Sequence, residues 1–127
     1  LGSRQMKKIL VIEDEELLRA NTVQMLEFED FYTIEAHNGR VGIQLAQEQL
    51  PDLILCDVMM PELDGYGVLT TLRQNPATAA IPFIFTTAKA SKADLCQGME
   101  LGADDYLTKP FTADQLLAAI ATNLKNP

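Results

Sequence analysis

Residues 53–65 read LILCDVMMPELDG, and Asp57 within them asks for an explanation. Four apolar residues lead into it, and Val58, Met59 and Met60 follow before Pro61 ends the run. A carboxylate at the end of a buried segment is costly unless something balances its charge. Other chemistry-bearing residues close apolar runs elsewhere: Glu13-Asp14 after KILVI, Thr87 after PFIFT, and Lys109 after DYLT. Gathered in one cleft, three carboxylates would repel each other and raise each other's pKa values. A hard divalent cation relieves that conflict. Mg2+ favours oxygen ligands and keeps several waters, and Mn2+ suits the same ligands. Asp14 and Asp57 are the candidate direct ligands. Glu13 would bind directly or through water, and the Met59 backbone carbonyl could add an oxygen. The Lys109 ammonium offers Asp57 a second counter-charge, and the Thr87 hydroxyl offers a hydrogen bond. A carboxylate so placed can attack phosphorus. Phosphoryl transfer asks the protein mainly for positioning and charge stabilisation.

These residues are far apart in the chain, so regular elements must bring them together. Apolar or β-rich runs predict strands at 8–13, 31–36, 52–57, 82–87 and 105–108. Helical spacing predicts helices over 15–29, from Gly42 to Leu50, over 66–74, from Ser91 to near Gly102, and from Thr112 to about Leu124. Asn38-Gly39 reads as a turn. Thr112 with Gln115 fits a capping box, whereas Ser91 with Asp94 is a weaker match. Strand and helix alternating five times mean a parallel sheet covered on both faces. The expected fold is α/β, a flavodoxin-like (βα)5 three-layer sandwich with strand order 2-1-3-4-5. Its switch point lies between the first and third strands, and ligands sit beyond the carboxyl ends of the strands. That is where Glu13, Asp14 and Asp57 would meet, with Thr87 and Lys109 on the far side of Asp57.

The 127 residues suit one domain, and 47% apolar with 22% charged residues is ordinary for a globular chain. A formal net charge of −8 argues against direct nucleic-acid binding by this domain. No apolar run approaches the ~18 residues of a membrane span. Neither this nor any visible leader suggests membrane insertion or secretion. Cys56 and Cys96 lack metal-site spacing and are expected to be core or near-core thiols of a reduced, cytoplasmic chain. Residues 1–5, LGSRQ, look like a cloning scar ahead of a domain at 6–127.

With these four motifs in order, the sequence resembles the receiver domain of a two-component response regulator, of the chemotaxis-regulator kind. The resemblance rests on Glu13-Asp14 after ILVI, Asp57 in LILCDVMMPELDG, Thr87-Ala88 after PFIF, and Lys109-Pro110 in GADDYLTKPF, and it spans roughly Met6 to Leu124. It implies a phosphorylation-dependent signalling switch rather than an enzyme. A sensor histidine kinase or histidine phosphotransfer protein would donate a phosphoryl group to Asp57 with Mg2+, and the domain would later hydrolyse the acyl phosphate. It further implies that Thr87 and Ala88 meet the phosphoryl group and that Tyr106 turns inward behind Thr87. That would change the surface of the fourth helix, fifth strand and fifth helix, which an output domain or partner would read. Lys109-Pro110 would be joined by a cis peptide bond. An aspartate-nucleophile phosphatase is the competing class, but it resembles a DxD pattern, and Met59 stands where the second acid belongs. His37, Asp104 and Asp105 are expected at the surface or in caps. Few charges in TADQLLAAIATNL weaken the case for the dimer of the DNA-binding branch.

Overall fold

The computed structural model describes residues 6–88 and 91–124. The proposed cloning scar at 1–5 lies outside them, as do residues 125–127. Ten elements alternate along the chain: β1 (Lys8–Ile12), α1 (Glu16–Phe28), β2 (Tyr32–Ala36), α2 (Gly39–Gln49), β3 (Leu53–Asp57), α3 (Gly65–Gln74), β4 (Phe83–Thr87), α4 (Lys92–Glu100), β5 (Asp105–Thr108) and α5 (Ala113–Asn123). The strands form one parallel sheet in the order β2-β1-β3-β4-β5. The fold is the expected α/β sandwich.

Side chains alternate across a strand, so each central strand feeds two cores. Leu10, Ile12, Ile54, Cys56, Phe83 and Phe85 point to one face, where Ala46 of α2 and Val68, Leu69 and Leu72 of α3 cover them. Ile9, Val11, Leu53, Leu55 and Ile84 point to the other, against Val23 and Leu26 of α1 and Leu116 and Ile120 of α5. β3 and β4 are buried at every position, which is why they read as unbroken apolar runs. Burying each Leu or Ile fully is worth roughly 1.5–3 kcal/mol.

Pairing register aligns the carboxyl ends. Ile12 pairs with Cys56, Asp57 with Thr86, and Thr87 with Thr108. Glu13, Asp57, Thr87 and Lys109 therefore emerge along one edge of the sheet.

Helix starts follow local chemistry. Asn38 is the N-cap of α2, its Oδ1 accepting from the Val41 N–H at 2.8 Å, so the helix begins at Gly39 and not at Gly42 as the turn signal suggested. Asp64 caps α3 by accepting from Gly67 N–H at 2.9 Å. Thr112 and Gln115 form both halves of a capping box at α5. At α4, Ser91 Oγ accepts from Asp94 N–H, while the Asp94 side chain bonds back to Ser91 Oγ rather than to the backbone. The chain leaves α4 through Gly102 at φ 106°, a conformation that favours glycine.

One expectation is corrected. Cys56 is buried, but Cys96 is exposed on α4. Asp104 is exposed yet not idle, because its carboxylate accepts from Phe83 N–H at 2.8 Å and from Arg73 at 3.1 Å. No single-strand pattern encodes that contact between separate loops. Among the described residues, no helix is long and apolar enough to cross a membrane.

Candidate phosphoryl and metal site

At the switch point, Glu13 follows β1, Asp14 begins the turn into α1, and Asp57 ends β3. One carboxylate oxygen from each lies within 4.8 Å of the others. Glu13 and Asp57 are buried at 4% and 5% exposure, while Asp14 is half-exposed. Two buried acids this close are stabilised by a cation or by a proton held on one of them. Lys109 supplies a cation from the start of the loop after β5. Its Nζ donates to Glu13 Oε1 and stands 3.3 Å from Asp57 Oδ1. The other Glu13 oxygen accepts from Glu15 N–H at 3.2 Å, just ahead of α1. Arg19 of α1 donates to the Glu13 backbone carbonyl at 2.8 Å and so ties the turn to the helix behind it. Glu13 and Asp14 do not cap α1 with a side chain; the N-cap position is Glu15, which makes no side-chain cap bond.

The electrostatics follow from this packing. Burial, assisted by the neighbouring Asp57 charge, raises the Glu13 carboxyl to about 7 even against the Lys109 hydrogen bond. Burial alone would push the Lys109 ammonium down, but the Glu13 hydrogen bond and the charges of Asp57 and Glu13 outweigh it, and its pKa is raised. Cys56, one residue before Asp57, is fully buried and donates its thiol to the Asp57 carbonyl at 3.3 Å. Burial first, then the charges of Asp57 and Glu13, push that thiol well above its ordinary value. It stays protonated and is no thiolate ligand. The available donors are thus carboxylate oxygens, which suit a hard cation and not a soft one.

The loop after β3 is braced around the site. Val58 N–H donates to Thr86 O at 3.2 Å, and Gly65 N–H donates to Val58 O at 2.9 Å. A Cβ at Gly65 would stand 2.4 Å from the Asp57 carbonyl, so only glycine lets α3 start this close to β3. With the Asp57 and Val58 carbonyls taken, no described residue donates to the Met59 carbonyl. The Met59 side chain is exposed. Thr87 is buried at the end of β4, and its carbonyl accepts from Lys109 N–H at 2.8 Å, which seats Lys109 beside it. Ala88 follows at the surface. The Lys109–Pro110 peptide bond is cis.

The structure thus gathers the carboxylates of Glu13, Asp14 and Asp57 within 4.8 Å, puts Lys109 on Glu13 and Asp57, and sets Thr87 next to Lys109. Tyr106 lies elsewhere: its hydroxyl donates to the Asp94 carbonyl of α4 at 2.7 Å. Thr86, the neighbour of Thr87, lies side by side with Asp57 in the sheet register. Only the register, which depends on where β3 and β4 start, could have placed it there. His37 is exposed, one residue beyond Ala36 of β2, whose carbonyl accepts from the Glu13 N–H at 3.0 Å.

Comparison with known proteins agrees with this geometry. The family model described as "Response regulator receiver domain" matches residues 9–121. The transcriptional regulatory protein CpxR of Escherichia coli is 42% identical over 120 residues, covering 94% of this chain and 50% of CpxR. A probable transcriptional regulator, ycf27, of Guillardia theta is 36% identical and is covered to 46%. Histidine kinase P4 of Formosa agariphila is 34% identical over 126 residues, only 9% of that protein. The chain spans about half the length of the regulators it matches. Chemotaxis protein CheY4 of Vibrio cholerae superimposes with a TM-score of 0.91 at 27% identity, covering 94% of this chain and 100% of CheY4. With the parallel order, the acidic switch point and the family match in agreement, this chain belongs to the receiver domains of two-component response regulators, a family of signalling domains.

Proposed function

We propose that this domain is a phosphorylation-dependent switch in which Asp57 is the phosphoacceptor. The observation that carries the reading is one cleft holding three carboxylates within 4.8 Å, with the Lys109 ammonium 3.3 Å from Asp57 Oδ1. Glu13, Asp14, Asp57 and the Met59 carbonyl would hold Mg2+, with Mn2+ an acceptable substitute. Bound there, the ion would neutralise charge on the transferring phosphoryl oxygens.

The donor is a phosphohistidine on a sensor histidine kinase or a phosphotransfer protein. An Asp57 carboxylate oxygen attacks phosphorus, and the phosphorus–nitrogen bond breaks. The imidazole leaves with the electron pair, and an acyl phosphate remains on Asp57. Lys109 stabilises the charge of that group, and the Thr87 hydroxyl and Ala88 N–H donate to its oxygens. Water later attacks phosphorus and returns Asp57 and inorganic phosphate. Tyr106 carries the change to the α4–β5–α5 surface, where an output domain or partner protein reads it. A cytoplasmic setting suits a kinase-borne donor.

Incubation with acetyl phosphate and Mg2+ tests the reading by intact mass. One added phosphoryl group is expected, absent in Asp57→Asn and without divalent cation. A wild-type chain that takes up none under these conditions would overturn it.

A further inference from the structure

Tyr106 does not face the carboxylates; it fills a socket beneath α4. Its hydroxyl donates to the Asp94 carbonyl at 2.7 Å. Tyr66, at the start of α3, reaches the same carbonyl at 3.3 Å and lies 3.4 Å from the Tyr106 hydroxyl. A carbonyl oxygen has two lone pairs, so both phenols can donate to it. Between them stands Phe85 of β4, with ring centroids 5.2 Å from each tyrosine. Such edge and tilted ring contacts add about 0.5–1.5 kcal/mol per pair beyond simple burial. The socket therefore joins α3, β4, α4 and β5.

Its roof is Gly98. A Cβ there would stand 2.5 Å from the Tyr106 hydroxyl oxygen and 2.7 Å from its ring. Gly98 lies inside α4 and is not in the left-handed region, unlike Gly102. Glycine in a helix interior costs roughly 0.5–1 kcal/mol relative to alanine. The backbone has no use for glycine here; the Tyr106 ring does.

We propose that Gly98 and Tyr66 are positioning residues for Tyr106, Gly98 by leaving room for the phenol and Tyr66 by sharing its acceptor on α4. Together they make an inward seat for the ring beneath α4. Its consequence for signalling rests on the reading of Tyr106 as the residue that carries the state of Asp57 outward. Burial, and then the adjacent Tyr66 hydroxyl, raise the pKa of the Tyr106 phenol, which keeps it a donor.

The test is 19F NMR of chain labelled with 3-fluorotyrosine. Single Tyr→Phe substitutions assign the signals of its three tyrosines. The resonance shift between H2O and D2O reports ring exposure. In wild type, Tyr106 should give a small isotope shift and the exposed Tyr32 a large one. In Gly98→Ala, the Tyr106 shift should rise to the Tyr32 level, because the ring has lost its place. In Tyr66→Phe, which deletes one hydroxyl and keeps the test open should Gly98→Ala not fold, it should rise part of the way. A Tyr106 signal unchanged from wild type in the folded variants overturns the proposal. Phosphoryl uptake from acetyl phosphate is weighed on the same samples. Uptake with an immobile Tyr106 sinks the socket alone, and a displaced Tyr106 without uptake sinks the phosphoacceptor reading alone.

Discussion

Lys109 holds two buried carboxylates with one ammonium, so the consequences of losing it are asymmetric. Lys109→Met leaves Glu13 and Asp57 facing each other with no described cation in contact. Breaking a buried pair by removing one partner costs about 3–5 kcal/mol. We expect that loss in urea unfolding at pH 7.5 in EDTA, and partial recovery when Mg2+ is added; equal loss in both conditions would mean the acids are not a shared cation site. Glu13 makes a second expectation. Its folded pKa of about 7 lies above its unfolded value of 4.5, so between these pH values the folded chain binds more protons than the unfolded one. Stability of metal-free protein should therefore fall as pH rises through this window, by at most on the order of 3 kcal/mol. Unfolding at a series of pH values in EDTA measures the slope, and Glu13→Gln should flatten it. The cysteines give a simpler contrast. Cys56 is buried with a raised pKa and Cys96 is exposed. Iodoacetamide should label one thiol per native chain and two in urea. The acids, Thr87 and Lys109 were legible in the sequence because each ends an apolar run. The Cys96 exposure was not, since a short helix on an edge shows no distinct buried stripe, and α4 has few buried positions.

Arg73 shows what elements owe to contacts that no periodicity announces. It sits in the last turn of α3, and its guanidinium donates to the carbonyls of Ala79, Ile81 and Gly102 and to the Asp104 carboxylate. Asp104 in turn accepts from Phe83 N–H at the start of β4. One side chain thus closes the loop before β4 and the loop before β5, and it sets the starting points of the strands that carry Thr87 and Lys109. Arginine suits this because its planar fork serves several acceptors at once. Hydrogen bonds to charged groups are worth about 1.5–3 kcal/mol, and Arg73→Met forfeits several, so a loss of about 2–4 kcal/mol is expected. Arg73→Lys should rescue little of it, because one ammonium cannot span the four acceptors. Thr112→Ala, which breaks the α5 capping box, should cost only about 1 kcal/mol. The ranking checks the argument: if the cap proves the more costly loss in chemical denaturation, Arg73 is not the clamp that the geometry suggests. Element order and the Thr112 cap could be read locally. The clamp could not, because α3 and the loop before β5 are separate in sequence and meet only in the folded chain.

Across the whole molecule, folding gathers charge that the unfolded chain keeps apart. Parallel order sets Glu13, Asp14 and Asp57 on one edge, and that order was readable because doubly covered strands are apolar throughout. A cation that needs all three ligands binds the folded chain and not the unfolded one. Binding then stabilises the fold by mass action, by about 2.7 kcal/mol at a hundred times the dissociation constant. Mg2+ should therefore raise the urea midpoint and the melting temperature in proportion to the logarithm of its concentration. A net charge of −8 offers a competing cause, because any salt screens self-repulsion. The two causes separate by ion and by variant. NaCl at matched ionic strength should reproduce little of the effect, and Mn2+ should reproduce most of it. Asp14→Asn removes a half-exposed candidate ligand with no bond to Lys109, so it should abolish the divalent response while leaving the metal-free fold close to wild type. If NaCl matches Mg2+, or if Asp14→Asn still responds in full, the stabilisation comes from screening across the surface and the switch-point acids hold no ion.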